Sequence, residues 1–202
     1  MSPVVARLGR PRPHGRSPPL ADLLLVVANR RESREAPTMP TALDAPPDTL
    51  DAQETNFVAQ VRNHGWFRTN VFQDEEGPGF SYTTGFWVHL QAPEIIVFSL
   101  TSEIAHAVLW DIYRDVSGGA SLQVGQRLPS IFANIEAVLL PVSKTFYSDY
   151  LGWDRWFYGG DDWPCVQLVW PDSSGAFPWE PGYEERFLNS QPNLTGAEWP
   201  AI

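Results

Sequence analysis

Between residues 66 and 170 the apolar positions keep two rhythms, one running in short unbroken or alternating stretches and one at helical spacing. Residues 66–73 and 80–86 are rich in aromatic and β-branched side chains and flank Asp74-Glu75-Glu76-Gly77-Pro78-Gly79, which predicts a hairpin with a longer loop. In the second of these strands Phe80, Tyr82 and Phe86 would share one packed face, leaving Ser81, Thr83 and Gly85 as a small, hydroxylated face. Residues 94–100 are apolar at both parities, the pattern of a central strand covered on both sides. Ser102 then reads as an N-cap with Glu103 at the positive helix end. Ile104, Ala105, Val108, Leu109, Ile112 and Val116 follow at helical spacing, closed by Gly118-Gly119. Residues 135–142 and 165–170 are expected as further buried strands, and residues 146–158 as an aromatic helix running into a loop. Beyond Pro171, proline and glycine recur too often for regular structure, so an irregular Trp- and Pro-rich wrap is predicted. The sum is an α+β domain with a mainly antiparallel sheet and one clear long helix.

Composition changes this picture at the N-terminus. Residues 1–50 hold nine prolines and no aromatic residue, whereas all nine Trp lie between Trp66 and Trp199. With so little apolar area to offset chain entropy, residues 1–50 are expected to be a disordered tail and 51–202 a single domain. The compositional break near Met39 also fits an overlong reading frame starting natively at that residue. Charge divides at the same place. Residues 1–38 carry seven Arg against Asp22, Glu32 and Glu35, while the remainder carries seven Lys or Arg against 21 acidic residues. So negative a field repels phosphate backbones and anionic lipid, which argues against nucleic-acid or membrane partners and favours cationic or neutral ones. The single Cys165 cannot form an intrachain disulfide, no apolar run is long enough to span a bilayer, and Asp22 interrupts the one signal-like stretch. A cytoplasmic protein is the expectation.

Several short motifs recur in a defined order: His64-Gly65-Trp66, Gly77 to Phe86 (reading GPGFSYTTGF), Pro93-Glu94, Trp156-Phe157-Tyr158-Gly159-Gly160, the run from Gln167 to Asp172, that from Gly175 to Glu180, and Gln191-Pro192. Their order and spacing resemble the uncharacterised bacterial family known as domain of unknown function 4262, over roughly residues 56–195. The resemblance implies no activity. At the level of fold, the strand, Thr-x-Gly, Pro-Glu strand and helix are similar to suppressor-of-fused-like domains, which would imply an interaction or immunity-like module. The Ser-Tyr-Thr-Thr-Gly turn before a Pro-led strand also resembles flavin-binding split barrels, which would imply a flavin-type oxidoreductase with the cofactor against Ser81, Thr83 and Gly85.

Candidate chemistry is sparse. His64, at the entrance to a strand, is a residue whose charge can change near neutral pH, or else a turn histidine bonded to backbone. His64, His89 and His106 are scattered and no metal-ligand spacing exists, so no metal and no cofactor are expected. Trp170-Pro171-Asp172 lacks a nucleophilic cysteine in phosphatase register, since Pro171 stands six residues after Cys165. What remains is aromatic and acidic material mixed together, including Trp153, Asp154, Trp156, Asp172, Trp179 and Glu180. Such mixtures suit sugars, cationic ligands or basic side chains of a partner, or else build an aromatic core with polar anchors. His64, Tyr82, Thr83, Asp172, Trp179 and Glu180 are therefore the candidate ligand- or partner-binding residues of a soluble interaction module. Catalytic residues are not identifiable.

Overall fold

Alternation along three central strands decides the architecture. In a computed structural model of the chain, which describes residues 40–129, 131–132, 135–200 and 202, strand β3 (Glu94–Phe98) is buried at all five positions. Ile95 and Val97 face one hydrophobic cluster and Ile96 and Phe98 the other. Six strands form one sheet. β1 (Phe67–Val71), β2 (Phe80–Thr84) and β3 run as an antiparallel meander. β3 then pairs in parallel with β6 (Cys165–Val169), which pairs antiparallel with β5 (Ala137–Pro141) and through it with the two-residue β4 (Arg127–Leu128). The fold is α+β with a mostly antiparallel sheet, as the strand pattern predicts.

Helices cover both faces. The expected long helix is α3 (Ser102–Ser117), whose Ala105, Val108, Leu109 and Ile112 pack on Ile95, Val97, Val166 and Leu168. Its N-cap is Thr101 rather than Ser102: the Thr101 hydroxyl accepts from Ile104 N, while Ser102 is held by Arg68. A second long helix was not expected. α1 (Ala52–His64) opens with a capping box between Asp51 and Glu54 and ends at Gly65 in a left-handed conformation with φ 80°. It buries only Phe57, Val58 and Val61, so its apolar stripe is too thin to stand out. On the same face, α4 (Tyr147–Tyr150) and α5 (Gly152–Phe157) add Tyr147, Leu151 and Phe157 to the core.

β2 stops two residues earlier than expected. Gly85, at φ 117°, turns the chain into a single helical turn, α2 (Phe86–Leu90). Phe86 consequently leaves the face shared by Phe80 and Tyr82 and packs on Trp66, in the opposite cluster. The wrap after Pro171 is irregular apart from a turn at Glu185–Phe187. Two buried glutamines fasten it: Gln167 receives Leu194 N and donates to Pro192 O, while Gln191 brackets the backbone of Trp170. Of the tail expected over residues 1–50, residues 1–39, with the overlong-start reading at Met39, lie outside the described residues. Residues 42–49 form two 3-10 turns, and Leu43, packed on the core, accepts a hydrogen bond from Arg62.

Candidate functional site

Two groupings of polar side chains stand out, one closed and one open. The closed one lies where β2, β3 and α5 meet. Glu94, fully buried, accepts four hydrogen bonds: from Gly85 N and Trp87 N at 2.9 Å each, from the Thr83 hydroxyl at 2.5 Å, and from the Tyr158 hydroxyl. Thr83 in turn accepts from Ile95 N. Asp154, also fully buried, receives only the Thr84 hydroxyl on Oδ1 among the described residues, and its Oδ2 has no hydrogen-bond partner among them. Burial raises both carboxyls above their ordinary range, and the charge of Glu94 pushes Asp154 further. Four donors aimed at Glu94 favour its ionised form, whereas the single Thr84 hydroxyl leaves Asp154 the more readily protonated of the two. Cys165 borders the group, and burial raises its thiol well above the usual range, which leaves it unreactive.

The open grouping is a cleft of about 560 Å³ on the same side of the sheet, between the hairpin β1–β2, the start of α1, and α4–α5. Phe80, Tyr82, Tyr150, Trp153 and Trp156 supply its aromatic lining, and Phe72 stands exposed at its edge. Four acidic residues line it from three elements: Glu54 on α1, Asp74 and Glu76 on the hairpin loop, and Asp149 on α4. No Lys, Arg or His lines it, and none of those four carboxylates has an ion-pair partner among the described residues. The Thr69 hydroxyl, 8% exposed, borders the cleft beside Tyr82 but outside hydrogen-bond geometry. The cleft and the closed cluster share a wall: Trp153 N donates to the Tyr82 hydroxyl at 3.4 Å, and Asp154 follows Trp153 in α5.

A family model described as Domain of unknown function (DUF4262) matches residues 60–184. The chain belongs to this family. No curated protein and no solved structure matches it. In this DUF4262 domain most of the motifs that carry the resemblance have a visible structural task. Thr83, Thr84 and Gly85, the Pro93-led Glu94 and Tyr158 converge on the closed carboxyl cluster, while Gln167 and Gln191 fasten the wrap.

The six candidate residues do not converge. His64 closes α1 rather than opening a strand, and it is exposed, because the chain stays helical up to Gly65. Thr83 is fully buried and committed to Glu94. Tyr82 belongs to the core and borders the cleft. Asp172 closes a turn: its carboxylate accepts from Ser174 N, Ser174 Oγ, Ala176 N and Glu184 N. Burial opposes that charge, but these donors outweigh it and hold the carboxyl below its usual range. Glu180 pairs with Arg127 and receives Phe177 N at 2.8 Å, and Arg127 lies over the Phe177 ring. Trp179 stacks on the fully buried Phe177 at 4.9 Å and packs against Trp199. Trp179→Ala is therefore expected to lower stability by roughly 2–3 kcal/mol, readable as a shifted denaturant midpoint. A midpoint unchanged within error would show that the ring carries no packing load.

The residues missed were Glu54, Asp74, Glu76 and Asp149. They are spread over nearly a hundred positions, and only the fold brings them to one cleft. The small face proposed for a flavin is occupied by the chain itself. Ser81 bonds Asn70, Thr83 bonds Glu94, and Gly85 lies against the backbone of Gly65 and Trp66.

Proposed function

We propose that this domain is an interaction module whose cleft receives a cationic group carried on an apolar stem, as a Lys or Arg side chain is. One observation carries the reading: an aromatic cleft lined by four acidic residues whose carboxylates have no basic partner among the described residues. Methylene stems lie favourably on aromatic rings, and the ring faces and carboxylates attract the charged head together. The excess of acidic residues over basic ones adds long-range attraction for such a partner.

Trp153 and Trp156 make the cleft its own reporter. Hexalysine is expected to change tryptophan fluorescence saturably, with affinity falling as salt rises, whereas hexaglutamate produces no change. The double variant Asp74→Asn/Glu76→Gln alters only exposed loop residues, so the melting temperature holds while hexalysine binding weakens about tenfold. Binding equal in parent and double variant would remove the cleft from consideration.

A further inference from the structure

The cleft adjoins a bare strand edge. β1 is terminal in the sheet, with β2 as its only strand partner, and residues 66–72 make no backbone hydrogen bond outside that pairing among the described residues. An edge strand leaves every second residue's N–H and C=O pointing outward, a template for one further strand. Thr69 and Val71, which border the cleft, belong to this strand, and Phe72 continues it. The carboxylates of Asp74 and Glu76 stand immediately beyond its end.

We infer that the partner is an extended basic peptide that adds as a strand to the free edge of β1 and places alternate Lys or Arg side chains in the acidic, aromatic cleft. This rests on the cationic reading of the cleft and adds to it the conformation of the ligand and the backbone that holds it. Main-chain hydrogen bonds to β1 supply sequence-independent affinity, and the cleft selects the residues of one parity. Charge decides the occupant. A second copy of this chain brings the same excess of acidic residues to the same surface and is repelled, whereas a basic strand is attracted. Thr69, which borders the cleft from this strand, has a buried hydroxyl without a hydrogen-bond partner among the described residues.

Backbone N-methylation separates the two layers of the idea. The probe is a capped six-residue peptide of alternating Lys and Thr, compared with two analogues N-methylated on the odd or on the even amides. Charge and side chains are the same in all three. For a peptide that adds antiparallel to β1, as β2 does on the other side, the face that carries the Lys residues fixes the one set of amides that meets β1. The parent peptide is expected to bind the full-length protein and to slow amide exchange within Phe67–Val71. One methylated analogue should bind about tenfold or more weakly and lose that protection, while the other binds like the parent. Equal binding of all three, or equal weakening by both methylations, overturns strand addition. In either case hexalysine binding that depends on Asp74 and Glu76 leaves the cationic reading standing. Failure of hexalysine and the alternating peptide alike overturns both.

Discussion

Gly85→Val is expected to leave little folded protein, because a side chain at this position meets backbone on two sides. A Cβ built on Gly85 comes within 2.6 Å of Gly65 O and 2.9 Å of Trp66 Cα, neither of which can rotate away. The backbone there also holds φ 117°, a region that penalises β-branched residues most. Conformational strain and steric overlap together cost roughly 4 kcal/mol or more, against a total of about 5–15 kcal/mol for a typical domain. The close approach has a structural purpose: it lets the end of α1 and the start of α2 pass each other, so that Trp66 and Phe86 meet edge to face at 5.5 Å. Thr84→Val is the comparison. From the sequence it would pass as an isosteric change on a strand, yet Thr84 is fully buried and is the sole hydrogen-bond donor to Asp154 among the described residues. Its loss should cost about 1–3 kcal/mol, well short of Gly85→Val. Denaturant midpoints for the two variants measure the difference, and similar values would show that the backbone approach at Gly85 relaxes.

Glu94→Ala should be comparably severe by another route. The substitution removes the acceptor for Gly85 N, Trp87 N, Thr83 Oγ1 and Tyr158 OH at a fully buried position. Each orphaned buried donor costs about 1–3 kcal/mol, so a loss of roughly 4 kcal/mol or more is expected, a fall in melting temperature of about 8–16 °C. Asp154→Asn behaves differently, and its effect depends on pH. Burial, and then the adjacent Glu94 charge, raise Asp154 well above its ordinary value, so the folded protein retains a proton that the unfolded chain releases above about pH 4. Stability contributed by the protonated form is complete below the unfolded value and declines as pH rises from about 4 towards the raised value. Asn cannot ionise. The stability of Asp154→Asn relative to parent should therefore improve as pH rises from about 4 towards the raised Asp154 value, as read from melts in matched buffers. A difference that is flat across this range would mean that Asp154 is ionised throughout.

How much could be read in advance depended on whether a feature is local. β3, β5, β6 and α3 are buried across most or all of a face, so five to sixteen consecutive residues announce them. α1 was legible only through its Asp51–Glu54 capping box and Gly65, because three buried residues in thirteen make a faint stripe. The break at Gly85 hid because Phe86 continues the alternation of Phe80 and Tyr82 in sequence while the chain reverses its facing in space. In the site, the mixture of Trp153, Asp154 and Trp156 was visible, but not its division. Asp154 turns into the core while the two Trp line the cleft, and a helical turn separates neighbours that composition counts together. Trp179 and Glu180 drew attention as an aromatic beside a charge, and they hold down the wrap instead.

The parallel pairing of β3 with β6 bears on how the protein is made. β3 is complete at Phe98, but the strand that flanks its other side begins only at Cys165. During synthesis the meander of β1, β2 and β3 emerges first and waits with the inner edge of its most apolar strand uncovered until β6 has left the ribosome. The carboxyl cluster waits as well, since Asp154 and Tyr158 arrive long after Glu94. Nascent chains stalled before residue 165 should accordingly remain protease-sensitive and engage chaperones, and resistance should appear in one step once Val169 is free to pair, as non-local sheet closure requires.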